Sequence, residues 1–409
     1  MNYNTATLAN GLRVIHLPSP SPVLYCGYQV AAGTRHEQPG EEGLAHFCEH
    51  MAFKGTARRT ALQIINHLER VGGDLNAFTT KEATTYYAAI LSQHAARAVD
   101  LLTDIVFSSQ YPAEELEREK AVVCDEIESY NDSPAELIFD EFENLLFPGH
   151  PLGHNILGTA ERVQAFTPAD CRRFAARWYQ PANAVFFAYG DIDFKWLVGR
   201  LANIAAGAPA EPSDPIATID SIAAIDAIAL SSTAPAHHQA HVMIGCRAYA
   251  AEDPRRMPLY ILNNMLGGPG MNARLNLSLR ERNGLVYTVE SNLTAYSDTG
   301  TWAVYFGCDH HDTRRCLHLV RRELDRLMRQ PLSTQQLNAA KRQLKGQIGV
   351  ATDNREQFAL DFSKSYLYYG QERDIQHLFR RIDAVTPEQI HDVARELFVP
   401  ERLQTLIID

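Results

Sequence analysis

The sequence of 409 residues has no run of about 18 apolar residues, the length a membrane-spanning helix needs, so no transmembrane segment is expected. Its opening stretch, MNYNTATLANGLRVIHLPSP, lacks the basic-then-apolar order of a secretory signal. We therefore expect a cytoplasmic protein with no membrane partner. Basic stripes are also missing. There are 38 Lys and Arg against 49 Asp and Glu, a formal charge of −11, which argues against nucleic acid as a partner. No CxxC occurs. The seven cysteines, Cys26, Cys48, Cys124, Cys171, Cys246, Cys308 and Cys316, are scattered and odd in number, as expected of buried, reduced thiols. The glycine-rich stretch GGPGMNARL, from Gly267, has no GK[ST], so nucleotide binding is not expected. What remains is ordinary for a soluble globular chain, 45% hydrophobic and 21% charged, and too long for one usual domain.

An aromatic-free stretch rich in Ala, Pro and Ser, residues 204 to 229, divides the chain near its middle and reads as a linker. The flanking halves repeat. YPAEELEREKAVVCDEIE, from Tyr111, aligns with QPLSTQQLNAAKRQLKGQIG, from Gln330, at an offset of 221, matching Leu116 with Leu337 and Lys120 with Lys341. TPADCRRFAARWYQPANAVFFAYGDID, from Thr167, matches TPEQIHDVARELFVPERLQTLIID, from Thr386, at an offset of 219. Each reads as a capped amphipathic helix, a proline and an apolar strand. Strand signals come in adjacent pairs between helical stretches. The expectation is an α+β fold of two duplicated domains of about 200 residues, each a largely antiparallel sheet packed with helices. Their bounds are 1–204 and 236–409, with a linker at 205–235.

The stretch EEGLAHFCEHMAF carries the chemistry. On a helix, His46 and His50 stand one turn apart on one face, about 5–6 Å between Cβ atoms, close enough to share one ion. Glu49 borders that face and can reach water on the metal as a general base without being a ligand. The bland alternative is an amphipathic helix with surface histidines. A zinc site needs a third protein ligand, and the helix from Ala113 to Glu128 supplies Glu114, Glu115, Glu117, Glu119, Asp125, Glu126 and Glu128. Spacing does not choose among them. At the repeat offset, Glu126 falls on Gln347, Glu119 on Ala340, and His46, Glu49 and His50 on Gly267, Gly270 and Met271. The second half thus reads as a degenerate copy. Two further groups, His237, His238 and His241, and the adjacent His310 and His311, read as strand residues too far apart or oppositely directed to share an ion.

HFCEH, His46 to His50, with Glu126 lying 76 residues beyond His50, resembles the HxxEH inverzincins of the pitrilysin family. The spacing is most similar to mitochondrial processing peptidase and its bacterial relatives. The resemblance implies that His46, His50 and Glu126 bind Zn2+, that Glu49 is the base, and that Glu119 is an auxiliary acid. GGDLNAFTTKEATTYY, from Gly72, resembles the family's substrate-pairing edge strand, which implies that Asn76, Ala77 and Phe78 take up the peptide by strand addition. LRERNGLVYTV places Arg280 seven residues before Tyr287, like the family's pair that holds the substrate backbone and polarises its carbonyl. Glu136 and Asp140, at (i, i+4), match positions that bind an arginine near the cleaved bond; an ordinary acidic helix face is the alternative. One chain carries both the zinc motif and the Arg/Tyr pair, which implies a homodimer; a monomer and a heterodimer are the alternatives. The resulting expectation is a zinc endopeptidase acting on flexible peptides. Its rivals are a non-catalytic scaffold or partner subunit on the same fold, and a metal-dependent hydrolase of non-peptide substrates.

Overall fold

The structure, a computed structural model, describes residues 1–204, 229–232 and 239–409. It divides into two compact units, and both draw on both sequence halves. Among the described residues, unit 1 comprises 1–129, 154–204 and 351–374, and unit 2 comprises 130–153, 229–232, 239–350 and 375–409. Of the segment read as a linker, 205–228 and 233–235 lie outside the described residues, while Ala229–Ser232 form a strand.

Unit 1 holds six strands: β1 Asn4–Thr7, β2 Arg13–Pro18, β3 Val23–Val30, β4 Asp74–Thr79, β5 Thr84–Leu91 and β6 Ala184–Gly190. They lie in the order β1-β2-β6-β3-β5-β4, and all neighbours are antiparallel except β2 with β6. Unit 2 holds β7 Ala229–Ser232, β8 Ala240–Ala248, β9 Val286–Ala295, β10 Gly300–Cys308 and β11 Gln404–Ile408. Their order is β7-β11-β8-β10-β9, again with one parallel pair, β7 with β11. Position for position this repeats β2-β6-β3-β5-β4. The duplicated, largely antiparallel α+β architecture read from the sequence is therefore present.

The two sheets share a packing constraint. A Cβ on Gly27 of β3 would lie 2.2 Å from the carbonyl oxygen of Tyr86, and one on Gly245 of β8 would lie 2.1 Å from that of Trp302. Only glycine fits either place. Gly27 and Gly245 are 218 positions apart, so equivalent sheet positions are offset by slightly less than the helical repeat. At that offset His46, Glu49 and His50 face Asn264, Gly267 and Gly268, and the second copy still lacks all three.

Five helices matter most: α1 Leu44–Ala52, α2 Ala113–Asn131, α3 Pro134–Leu146, α4 Thr334–Ala351 and α5 Arg355–Tyr369. α2 and α4 begin and end within a few residues of the repeat matched in the sequence. α5, from late in the chain, packs on β3 and β6 of unit 1. There Phe362 meets Phe187 and Phe358 meets Tyr189, and Tyr87 donates to Glu356 at 2.7 Å. α3, from the first half, packs on β8 and β11 of unit 2, where Ile138 and Phe142 are buried with Met243 and Leu406. No helix among the described residues is long and apolar enough to cross a membrane.

Candidate metal centre

α1 forms because LAHFCEHMA contains no β-branched residue and places apolar side chains at helical spacing. Leu44, Phe47, Cys48 and Met51 are fully buried in the core of unit 1. Burying each is worth roughly 1.5–3 kcal/mol for the larger side chains, enough to hold the polar stripe His46, Glu49 and His50 inside the fold. The helix starts at Gly43, whose φ of 93° suits glycine, and whose Cβ would strike the Leu157 carbonyl at 2.6 Å. Its first amides are satisfied from outside the helix. Glu37 accepts from the Gly43 amide at 3.0 Å and the Ala45 amide at 2.7 Å, and bonds His154 Nε2 at 2.8 Å. A carboxylate there also complements the helix dipole. Burial nonetheless pushes the Glu37 carboxyl up to about 7, against those three bonds.

α2 supplies the third group. Its buried face carries Leu116, Val123 and Ile127, and Glu119 sits between the first two on the same face. Glu126, three residues beyond Val123, emerges at the edge of that face and is partly exposed. The result is convergence. The His46 and His50 ring centroids lie 4.6 Å apart. Glu126 Oε1 is 3.9 Å from His46 Nε2, and Glu126 Oε2 is 3.5 Å from His50 Nε2. Ligand atoms of a tetrahedral zinc with bonds of 2.0–2.1 Å are separated by about 3.4 Å. The spacing therefore fits zinc with small contraction, and each of the three groups has a ligand atom within 4.8 Å of the others.

The two histidines differ in their electrostatics. Burial, helped by His50, lowers His46 to about 3, leaving a neutral imidazole free to ligate. Burial also opposes charge on His50, but the Glu119 hydrogen bond and the charges of Glu49 and Glu126 outweigh it and raise its pKa. Glu119 bonds His50 Nδ1 at 2.9 Å and Lys54 Nζ at 2.6 Å. Burial opposes its ionisation, but these two bonds hold its carboxyl below the usual range. A carboxylate on the outer nitrogen of a ligating histidine fixes its tautomer and orientation. Glu49 is buried, its pKa is raised chiefly by burial, and it accepts from Thr79 Oγ1 at 2.6 Å.

The remaining residues singled out in the sequence fall as follows. Asn76, Ala77 and Phe78 lie on β4, the outer strand of the unit 1 sheet, which packs beside α1. Glu136 and Asp140 lie on α3 in unit 2 and make no ion pair with a cationic side chain among the described residues. Arg280 sits in a π-helical turn, Asn276–Glu281, and its guanidinium lies 5.6 Å from the ring of Tyr287 on β9. Tyr287 is 81% exposed. His237 and His238 lie outside the described residues, and His241 bonds the Tyr305 hydroxyl at 2.9 Å. His310 and His311 occupy a tight turn, His310–Asp312, not a strand as read from the sequence. There His311 groups with Asp309 and Asp312 at an exposed surface. Sequence reasoning missed Glu37, Lys54 and Thr79. Thr79 directly follows the Asn76–Phe78 stretch, which was the available signal.

The family model for insulinase, peptidase family M16, matches residues 13–160, and that for the peptidase M16 inactive domain matches residues 165–344. The chain is 33% identical over 402 residues to an uncharacterized zinc protease of Streptomyces coelicolor, covering 96% of this chain and 86% of that one. It is 30% identical over 409 residues to the uncharacterized zinc protease YmxG of Bacillus subtilis, covering 98% and 97%. The fold is shared with a protease from Helicobacter pylori, with a TM-score of 0.90 at 21% identity over 100% of this chain and 99% of that one. It is shared equally with a peptidase M16 inactive domain from Pseudomonas fluorescens, with a TM-score of 0.89 at 23% identity over 100% and 98%. By these matches the chain belongs to the pitrilysin-type M16 peptidase family.

Proposed function

We propose that the chain is a zinc-dependent endopeptidase acting on flexible peptides or unfolded segments. The observation that carries this reading is the convergence of His46, His50 and Glu126, with buried Glu49 on the same helical stripe. His46, His50 and Glu126 would hold zinc, which would supply Lewis acidity at the site. Glu49 would act as the general base and acid, taking a proton from the attacking water and passing it to the leaving amine. Glu119 holds His50, and Lys54 holds Glu119. The open edge of β4 at Asn76–Phe78 sets the register of an extended peptide. Arg280 and Tyr287 serve the substrate backbone and carbonyl in this reading. Glu136 and Asp140 favour a basic residue near the cleaved bond, and their lack of an ion pair with a cationic side chain among the described residues supports that. The working form is a homodimer; a concentration-independent monomer mass with full activity would defeat that part.

Glu49→Gln is the deciding variant. It should keep zinc while peptide hydrolysis falls by roughly a thousandfold or more. Unchanged hydrolysis in that variant overturns the mechanism. Zinc content near zero in the gently purified wild type points instead to a non-catalytic scaffold or partner subunit.

A further inference from the structure

We propose that Thr79 is a positioning residue for the base, one that fixes the Glu49 carboxylate and ties it to the strand that takes up the peptide. The inference rests on the endopeptidase reading above. Thr79 is the last residue of β4, immediately after Phe78. Its hydroxyl lies 2.6 Å from Glu49 Oε2 and 3.4 Å from Thr84 Oγ1. The shorter contact is in the range of an O–H···O⁻ bond. Thr84 turns its own proton to the Ala32 carbonyl at 2.8 Å, so it does not compete as a donor to the base. Among the described residues, no other protein group bonds the Glu49 side chain. One carboxylate oxygen is thus pinned, and the other is left to take a proton.

Burial makes the pin matter. Glu49 is only 7% exposed, so bulk water cannot easily replace a lost donor. β4 is the sheet edge, hydrogen-bonded to β5 on one side only. An extended peptide that pairs along its open side orders the strand through Phe78, and Thr79 is the next residue. Substrate registration and base orientation therefore run through one short segment. A peptide that does not pair along β4 leaves the base less well held.

Two substitutions separate the donor from the shape. Thr79→Val keeps the branched side chain, which suits a strand, and removes the donor. Thr79→Ser keeps the donor. On a flexible peptide substrate, Thr79→Val should lower kcat by about 10–100-fold, with KM and zinc content within about twofold of wild type. Thr79→Ser should restore kcat to within about threefold. Wild-type kcat in Thr79→Val overturns the proposal, as does a loss confined to KM or zinc content, or a Thr79→Ser enzyme as slow as Thr79→Val. A crystal structure of Thr79→Val gives a readout without turnover: the Glu49 carboxylate should leave its position. A carboxylate that stays in place overturns the proposal. A wild type that cleaves no peptide, combined with a displaced Glu49 in Thr79→Val, upholds the positioning role and overturns the endopeptidase reading.

Discussion

Units 1 and 2 repeat one strand order, yet among the described residues only unit 1 gathers two histidines and a carboxylate around a point. The repeat has kept what packs and lost what reacts. Leu116 and Leu337 are both buried on their helices, and so are Ile127 and Ile348. Lys120 and Lys341 are both largely buried as well; the Lys341 ammonium donates to the carbonyls of Asp383 and Val385, at 2.9 and 2.5 Å, while that of Lys120 meets Glu117 at 2.8 Å. By contrast, Glu119 has become Ala340 and Glu126 has become Gln347. Burying a carboxylate is costly unless it is paired. For buried Glu119 that pairing comes from His50 and Lys54, and at the repeat offset the histidine is absent.

Unit 1 can be converted stepwise toward unit 2, which turns the comparison into an experiment. Glu126→Gln, the residue of unit 2, should weaken zinc binding by more than roughly 100-fold and remove hydrolysis with it. Chelator competition measures the first, and wild-type affinity would exclude Glu126 as a ligand. Glu37 tests how the helix is held rather than what it holds. Folding raises its carboxyl from 4.5 to about 7, so between those values the native state keeps a proton that the unfolded chain has released. Its contribution is fully present below about pH 4.5 and is lost as pH rises through about 7, a swing of about 3 kcal/mol. Urea unfolding at several pH values should show that Glu37→Gln removes this fall; an identical pH slope in both proteins would contradict it. Glu119→Ala, again the residue of unit 2, should cost about 10–100-fold in zinc affinity while leaving the fold intact. An unchanged dissociation constant would reduce Glu119 to a bystander. The smallest effect belongs to unit 2 itself. Glu136→Ala should slow cleavage of arginine-containing peptides by about tenfold relative to others, and equal losses for all peptides would refute the acidic recognition.

The sequence disclosed whatever is local. Helix α1 and its stripe follow from residues four apart, and the strands from short apolar runs with turn residues between. Glu126 was different. Seven carboxylates lie along the stretch Ala113 to Glu128, and which one meets the histidines depends on how α2 crosses α1, a tertiary fact that only resemblance supplied. Thr79 was hidden for the same reason, since it acts on Glu49 from another element, whereas Glu37 reaches amides six and eight residues on through a loop that spacing alone does not place. The exchange of α3 and α5 between units was equally invisible, because an amphipathic pattern reports that a helix is covered and not by what.

That exchange has a consequence for anyone who would cut this chain in two. Severed at its midpoint, the piece bearing HFCEH would leave bare the sheet face that Phe358 and Phe362 now roof, and its sister would lose Ile138 and Phe142. Each fragment would carry a helix that belongs to the other.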